Sequence, residues 1–302
     1  MCSEMRKANL RYYSSKGKAA YSDFSTFAQG RALARCNAIE FARDFSSQGE
    51  ILICEYGVGN GNFAKVFLDE LKSKDAQLHS RTHYFLFDLS EKMLKDARKT
   101  LSSHGSICSF ERFDAASEAP SQNFDYCRIN ELLSDLPADI YMKSQGKITS
   151  MDSKRTTSDL FVSKFLERVD EGRAIPFNFT AEKFLSSLCL AGRPGFRIDA
   201  FDYGFYSAEG IFIHPKEEWN SIILRKYGSQ VTVDLNFPQL IASLASQGIA
   251  AAIESQKDYA ERVLGMPLEI SETGKGLDYV KAGKGSEGII EDDGFYYLRI
   301  GR

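Results

Sequence analysis

The stretch that decides the fold is Glu55–Phe63, with the sequence EYGVGNGNF. It follows the apolar run ILIC (51–54) and precedes AKVFLDELK (64–72), whose apolar residues recur at helical spacing. A strand that turns through glycines into a helix is typical of the ligand-binding turn of an open α/β sheet. Because glycines also serve tight turns that hold no ligand, the rest of the sequence has to decide between these two interpretations.

Strand-like and helix-like segments alternate around this turn. Four runs have strand character: EILICEYG (50–57), THYFLFDLS (82–90), ICSFERFDA (107–115) and FDYCRINELL (124–133). The alternation predicts an α/β fold, with a Rossmann-like parallel sheet and crossover helices on both faces. A fifth strand is predicted at FRIDAFDYG (196–204).

The polar segment between the fourth and fifth strands is predicted to be an inserted lid. We therefore expect three parts: 1–137, with the N-terminal segment and the cofactor-binding half of the sheet; 138–195, the lid or substrate subdomain; and 196–302, the other half of the sheet. Within this last part the pattern predicts antiparallel strands over 210–237, a late helix over 237–255 and an edge strand over 293–301.

Composition narrows the class of protein. The chain has 302 residues, of which 43% are hydrophobic, and a formal charge of −3. With no basic field and no apolar run of about 18 residues, we expect neither nucleic acid nor membrane as a partner. The 6 cysteines form no CxxC pair, so we predict no metal site and a reducing compartment. That compartment is the cytoplasm, or the mitochondrial matrix if the protein is eukaryotic.

Two details of the glycine turn indicate its ligand. A dinucleotide fingerprint needs a third glycine one place after Gly61, where this sequence has Asn62, so a nicotinamide cofactor is disfavoured. Glu55 precedes the glycines, where a carboxylate would repel a pyrophosphate and attract an ammonium group. S-adenosylmethionine carries an ammonium group and no phosphate. We therefore predict S-adenosylmethionine as the cofactor.

Two strand-end carboxylates extend this prediction. Asp88 ends the second strand, where it can accept hydrogen bonds from ribose hydroxyls, and Asp114 follows the third, where it can accept from an adenine amino group. Each has a structural alternative, helix capping for Asp88 and turn formation for Asp114. The cofactor-binding residues predicted from strand ends and the turn are Glu55, Gly57, Gly59, Gly61, Asp88 and Asp114.

The motifs EYGVGNGN, FDLSEKML, INELLSDLP, IDAFDYG and VTVDLNFPQL, in this order, resemble the MidA family of class I methyltransferases. That family includes a mitochondrial complex I assembly methyltransferase. The resemblance covers most of the chain and begins at RYYSS (11–15) and YSDFST (21–26). It implies a class I methyltransferase fold, S-adenosylmethionine as cofactor and a protein arginine as acceptor. This sequence departs from the family pattern at Ser22, Val58, Asn60, Asn62 and Asn236.

An arginine acceptor makes a chemical demand on the site. Its guanidinium has a pKa above about 12 and needs carboxylates to orient it. Glu131, directly after the fourth strand, is the first candidate for this catalytic role, and Asp202 after the fifth strand is the second. Asn130 belongs to the same motif and is assigned to cofactor binding. The alternatives are that Glu131 opens a solvated helix and that Asp202 forms a strand-ending turn.

The leading functional hypothesis is thus methylation of a protein side chain. A second hypothesis keeps the cofactor and takes a small molecule as acceptor, with the insertion as a pocket lid. A third is an assembly or chaperone module that has the methyltransferase fold without its activity. The sequence leaves the oligomeric state open.

Overall fold

The computed structural model of the protein describes residues 2–46, 49–151, 159–273, 276–283, 289–290 and 294–301. The helices are α1 (Cys2–Lys16), α2 (Ala32–Phe45), α3 (Asn62–Lys74), α4 (Ala76–Ser80), α5 (Glu91–Thr100), α6 (Leu160–Leu166), α7 (Phe179–Ala191), α8 (Ala208–Phe212), α9 (Lys216–Ile222), α10 (Phe237–Ser246) and α11 (Gln256–Leu264). Short 3-10 helices form at Gly17–Ser22, Phe27–Gln29, Ser102–His104 and Leu133–Asp135.

The strands are β1 (Ile51–Tyr56), β2 (Thr82–Asp88), β3 (Cys108–Arg112), β4 (Phe124–Asn130), β5 (Asp139–Ser144), β6 (Lys147–Ser150), β7 (Ala174–Phe177), β8 (Gly192–Phe205), β9 (Leu224–Tyr227), β10 (Gln230–Val233), β11 (Leu235–Asn236), β12 (Ala250–Ser255), β13 (Leu268–Thr273), β14 (Gly276–Lys281), β15 (Ile289–Ile290) and β16 (Phe295–Gly301). The order in the main sheet is β12-β16-β8-β4-β1-β2-β3, and β11 adds a short pair to β8.

The main sheet confirms the predicted fold class. Strands β3, β2, β1, β4 and β8 pair in parallel, and β16 runs antiparallel between β8 and β12. This arrangement is the mixed α/β sheet of class I methyltransferases. It brings the carboxyl ends of β1, β2, β4 and β8 to one edge, where ligands of such sheets bind.

The two faces of the sheet are covered by different helices. Helices α2, α3 and α5 bury Phe41, Phe67 and Leu94 on one face, together with Ile53 of β1. Helices α7 and α10 cover the other face with residues such as Leu185 and Leu240. The apolar face of each helix packs against the sheet, as the helical spacing of its apolar residues predicts.

Two predictions for the C-terminal part are wrong. Residues 250–255 were expected to continue a helix and instead form the edge strand β12, while the terminal strand β16 lies inside the sheet and not at its edge. The cause is tertiary: β16 offers backbone partners on both sides, and pairing with β12 overrides the helix propensity of the alanine run. Between 210 and 237 the structure has α8 and α9 besides the hairpin β9–β10 and β11.

The inserted subdomain is shorter than the predicted range 138–195 and has a second component. Strands β5, β6 and β7 form an antiparallel sheet of their own, and the core around Phe177 is completed by Phe205 at the end of β8 and Trp219 of α9. Helix α7 belongs to the main sheet, because Phe184 and Leu188 pack in its core. The boundary at 195 is therefore corrected to the end of β7.

The N-terminal segment crosses the ligand edge of the sheet. Asn9 of α1 donates to the Asp135 and Val231 carbonyl oxygens at 3.0 and 2.8 Å, and Ser90 donates to the Tyr13 carbonyl oxygen at 3.1 Å. This segment is thereby held against β10 and α5. Among the residues that the structure describes, no helix has the length and apolar composition needed to cross a bilayer.

Candidate active site

A cavity of about 400 Å³ lies at the carboxyl edge of the sheet. Its walls come from the turn after β1, the ends of β2 and β4, the segment from α1 to Phe27–Gln29, and the hairpin β9–β10. None of the described residues between 138 and 178 lines it. The N-terminal segment and the β9–β10 hairpin therefore cover this cavity, and the role of the segment 138–195 as a lid stays a prediction.

The three glycines of the turn all have positive φ angles: +77° at Gly57, +56° at Gly59 and +80° at Gly61. A Cβ atom on Gly59 would overlap the hydroxyl of Tyr21, and one on Gly61 would lie 3.0 Å from the Ala97 Cα. Both the backbone conformation and the close approach require glycine at these positions. The N–H groups of Gly57 and Val58 donate to the Phe87 carbonyl oxygen at 2.9 and 3.1 Å, and that of Gly61 donates to the Val58 carbonyl oxygen at 3.0 Å, so these N–H groups of the turn are satisfied within the protein.

Asp88 is placed as the sequence predicts, at the end of β2 and in the cavity wall. Its carboxylate accepts backbone hydrogen bonds from Gly59 at 2.9 Å and Ser90 at 2.8 Å. Burial raises the pKa of Asp88 to about 6, against the opposing effect of these two N–H groups. The side chain thus joins the glycine turn to the second strand.

Asp114 also lines the cavity, but its carboxylate is already engaged. It forms an ion pair with Arg6 of α1, whose Nε lies 2.9 Å from Oδ2, and it accepts from Ser117 Oγ and the Ala116 N–H, both at 3.0 Å. An adenine amino group could reach this carboxylate only alongside Arg6 or in its place.

Glu55, which the sequence assigns to a ligand ammonium group, is already paired with a cation of the chain. Glu55 reaches the cavity floor, yet its Oε2 accepts from Arg128 at 2.8 Å and from the hydroxyl of Tyr84. The guanidinium is fully buried against Phe67, with its centre 4.0 Å from the ring centroid. Because the Arg128 guanidinium compensates the charge of the Glu55 carboxylate, this ion pair stabilises the contact between β1 and β4 inside the sheet.

Asn130 and Glu131 end β4 at the centre of the cavity wall. Glu131 has a φ angle of +48°, unusual for a residue with a side chain, and its Oε1 accepts from the Phe27 N–H at 2.9 Å. Burial raises the pKa of Glu131 to about 8, and the charges of Asp202 and Asp135 act in the same direction, whereas the Thr26 hydroxyl and the Phe27 N–H oppose it. The buried Oδ1 of Asn130 has no hydrogen-bond partner in the described residues.

Asp202, the second catalytic candidate, does not line the cavity, and its catalytic role stays a prediction. The carboxylate is buried behind β4, where it accepts from the backbone N–H of Ser134 at 3.1 Å and of Tyr203 at 3.0 Å. Burial raises its pKa to about 6. It holds the 3-10 turn after β4 in place, which supports Glu131 from behind.

The sequence analysis missed Asp135, which lines the cavity four positions after Glu131. Burial raises the pKa of Asp135 to about 7, although Tyr13 and Gln230 hydrogen bond to it. Asp135 lies in the motif INELLSDLP and Tyr13 in RYYSS, so both motifs contained the signal. Their proximity could not be predicted without the path of α1.

The cavity residues fit S-adenosylmethionine. The glycine turn admits a ligand close to the backbone, and Asp88 ends β2, where the hydroxyl groups of a ribose need an acceptor. The side-chain oxygen Oδ1 of Asn130 is a buried acceptor without a donor among the described residues. Within the described ranges no group of three or more histidine, cysteine, aspartate or glutamate side chains is placed to hold a metal ion.

Comparison with known proteins supports this interpretation. Residues 35–168 match the model of a family described as "Putative S-adenosyl-L-methionine-dependent methyltransferase". This segment contains β1 to β4, the glycine turn, Asp88 and Glu131. No curated protein sequence matches the chain.

Three solved structures share the fold. A protein from Burkholderia thailandensis bound to S-adenosyl-homocysteine has a TM-score of 0.67 and 15% identity, over 99% of this chain and 87% of that chain. A second structure from the same organism gives 0.66 and 16%, over 99% and 86%. A complex of DhpI with S-adenosylhomocysteine gives 0.51 and 12%, over 99% and 98%.

The class of protein follows from these findings. The sheet order is that of class I methyltransferases, and the family match covers the cofactor half of the sheet. The prediction of an S-adenosylmethionine-dependent methyltransferase is thereby confirmed, whereas the acceptor and the role of each residue need further argument.

Proposed function

We propose that this protein transfers a methyl group from S-adenosylmethionine to a side-chain nitrogen of a protein arginine, as a relative of the MidA family. The observation that carries this proposal is Glu131, a partly buried carboxylate with a strained backbone, directly after β4 in a wall of the ligand cavity. Strained backbone is retained where function requires a side chain in one place.

The proposed cofactor site combines the glycine turn with two strand ends. Backbone groups of Gly57 and Gly59, which line the cavity, would contact the amino acid portion, and Asp88 would accept from the ribose hydroxyls. Gly61 does not line the cavity and would contribute through the shape of the turn, where it packs against Ala97 of α5. Asn130 would accept a hydrogen bond through its unpartnered Oδ1. Asp114 remains the proposed contact of the adenine amino group, with Arg6 beside it.

The chain's contribution to the chemistry is placement and proton transfer. Bound S-adenosylmethionine supplies an electrophilic methyl group on a sulfonium, which is already a good leaving group. Glu131 orients the acceptor nitrogen by a charge-assisted hydrogen bond and takes the proton that this nitrogen gives up on methylation.

A small-molecule acceptor is the second candidate. The observation that favours it is the enclosure of the cavity by α1 on one side and the β9–β10 hairpin on the other. A protein acceptor would need this cover to open far enough for one extended side chain. The third hypothesis, an assembly module without activity, does not explain why Glu131 keeps a strained backbone with a positive φ angle.

The decisive experiment incubates the protein with S-adenosylmethionine labelled in the methyl group and a lysate from its own source. Label in protein, released on hydrolysis as methylarginine, supports the proposal; label in small molecules alone supports the second candidate. Glu131→Gln should lower the transfer rate by about 100-fold or more. It should leave the affinity for S-adenosylhomocysteine, measured by calorimetry, within threefold.

The exposed Glu118 provides the matched control, since Glu118→Gln changes the same functional group outside the cavity wall. Transfer should stay at the wild-type rate in this variant. If S-adenosylhomocysteine fails to bind the wild type, or if Glu131→Gln transfers label as fast as Glu118→Gln, the proposal is wrong.

A further inference from the structure

The cavity contains a second polar cluster, formed by Asp135, Tyr13 and Gln230. The Tyr13 hydroxyl donates to Asp135 Oδ2 at 2.6 Å, and the Gln230 amide donates to Asp135 Oδ1 at 2.9 Å and to the Tyr13 hydroxyl oxygen at 2.7 Å. Asp135 follows β4, Tyr13 belongs to α1 and Gln230 begins β10. Three separate elements therefore hold one carboxylate in one orientation.

Two carbonyl oxygens in the same wall have no donor. Gln230 Oε1 and Asn130 Oδ1 are buried and have no hydrogen-bond partner in the part of the chain that the structure describes. Their residues are only 3% and 8% exposed, and both line the cavity. A buried acceptor left unpaired costs about 1–3 kcal/mol, so this wall is complementary to a ligand that brings N–H or O–H donors.

The charge of the wall points the same way. Within the described residues, no lysine or arginine nitrogen lies within 4.0 Å of the carboxylates of Glu131 and Asp135. The cavity has two arginines, but Arg6 is paired with Asp114 and Arg225 with Asp234. A ligand with positive charge and several N–H groups can donate to the two unpaired oxygens and compensate the charge of the two carboxylates. A methyl acceptor with a hydroxyl or carboxylate group brings no positive charge and cannot do both.

We propose that Asp135 and Gln230 form the subsite that selects and positions a cationic, N–H-rich acceptor group next to Glu131. This inference rests on the proposed methyl transfer and adds the residues that determine its specificity. Asp135 supplies the charge, and Gln230 supplies a neutral acceptor oxygen while its amide group fixes the carboxylate. Tyr13 connects the subsite to α1, so the N-terminal segment shares in its geometry.

The test compares two probes that differ in charge. N-acetyl-L-arginine amide and N-acetyl-L-citrulline amide have nearly the same shape, but only the first is a cation. Each is titrated calorimetrically into the protein saturated with S-adenosylhomocysteine, so that binding is measured without turnover. The arginine probe should bind at least tenfold more tightly than the citrulline probe. Equal affinities, or no binding of either probe, would overturn the subsite.

Substitutions in the proposed subsite test which residues cause the preference for the arginine probe. Asp135→Asn should weaken the arginine probe at least tenfold and leave the citrulline probe and S-adenosylhomocysteine within threefold. If Asp135→Asn fails to fold, Gln230→Met keeps the carboxylate and should weaken the arginine probe severalfold. Glu118→Gln is the control and should change neither probe.

The cofactor's own ammonium group is the competing occupant. If Asp135→Asn weakens S-adenosylhomocysteine more than tenfold, the carboxylate belongs to the cofactor site and the subsite is wrong, whereas the proposed methyl transfer stands. If S-adenosylhomocysteine does not bind the wild type at all, the methyl transfer fails and the subsite falls with it. Calorimetry with S-adenosylhomocysteine thus separates the two failures.

Discussion

Two groups of carboxylates inside this protein differ in how their charges are compensated. In the sheet core, Asp199 and Glu40 share Arg197, whose Nη2 lies 2.6 Å from Asp199 and 2.8 Å from Glu40. In the cavity, Glu131 and Asp135 have hydrogen bonds from neutral groups and no cation within 4.0 Å among the described residues. The residue types are the same, but Asp199 and Glu40 are fully buried, whereas Glu131 and Asp135 are partly exposed.

The electrostatic outcome is opposite. Burial opposes the ionisation of Asp199, but the charge and hydrogen bonds of Arg197 lower its pKa below the ordinary value. Burial raises the pKa of Glu131 to about 8 and that of Asp135 to about 7, because only neutral hydrogen-bond donors oppose it. A completed ionic network specifies the fold, whereas an incomplete one at a cavity indicates a missing ligand.

The largest expected effect tests the completed network. Arg197→Met removes the guanidinium and leaves Asp199 buried without a cation, whereas Glu40 keeps Arg262 at 2.9 Å, so the free energy of unfolding should fall by about 3–5 kcal/mol. Urea denaturation measures it. Adding Asp199→Asn should recover part of the loss. A stability of Arg197→Met within 1 kcal/mol of the wild type, at roughly the noise of surface substitutions, would contradict the comparison.

The second prediction concerns the pH dependence of stability without ligand. Since the folded-state pKa values of Glu131 and Asp135 are raised, their protonated forms favour folding below about pH 4.5, and this stabilisation is lost as pH rises towards about 8 and 7. Each group should lower the free energy of unfolding by up to about 1.4 kcal/mol per pH unit in its window. Urea midpoints between pH 5 and 8 measure the slope.

Glu131→Gln should make that slope shallower, because glutamine does not titrate. The Asp199 pKa is lowered instead, so its stabilisation is present above about pH 4 and lost in more acidic solution. If the free energy of unfolding of the wild type rises between pH 5 and 8, the charges of Glu131 and Asp135 are compensated, which would contradict the comparison.

The third prediction compares two glycines with positive φ. Gly59 lies under Tyr21 in the cavity with φ of +56°, whereas Gly248 has φ of +71° and no atom within 4 Å of an added Cβ. Alanine at either position should cost about 1–2 kcal/mol of unfolding free energy from backbone strain. Gly59→Ala should also weaken S-adenosylhomocysteine at least tenfold in calorimetry, while Gly248→Ala should not. Equal affinities would remove the glycine turn from the proposed cofactor site.

The smallest effect comes from a matched pair of tyrosines. The Tyr297 hydroxyl donates to Asp199 at 2.8 Å and the Tyr13 hydroxyl donates to Asp135 at 2.6 Å. Tyr297→Phe should cost about 1.5 kcal/mol of unfolding free energy at pH 6.5, because Asp199 is ionised there. Tyr13→Phe should cost less than about 1 kcal/mol, since Asp135 can take up a proton when it loses this donor. A reversed order would contradict the distinction between the two groups.

Residues near the glycine turn could be predicted because their positions depend on local order. Asp88 follows a strand whose carboxyl end must meet the turn, and Glu131 follows the next strand at that edge, so alternation alone brings them together. Asp202 lies near the carboxyl end of β8, but its side chain accepts from the backbone N–H of Ser134 and does not line the cavity. The position of a residue at a strand end predicts that it lies at the carboxyl edge of the sheet. It does not predict in which direction the side chain points.

Pairings across distant segments could not be predicted. Arg128 lies 73 positions after Glu55 and meets it because β4 pairs with β1. Nothing in the local sequence around Glu55 indicates that its charge is already compensated. The same holds for Asp135, whose donors come from α1 and β10.

By itself the sequence determined the parallel α/β sheet, the glycine turn, the cofactor class and the carboxylate at the end of β4, because periodicity and strand ends are local properties of a chain. Only the tertiary structure decided which buried carboxylates have a cation, which segments cover the cavity and where the inserted subdomain ends. Those outcomes depend on contacts between residues far apart in sequence, and the free energy of a buried charge depends on its neighbours in space.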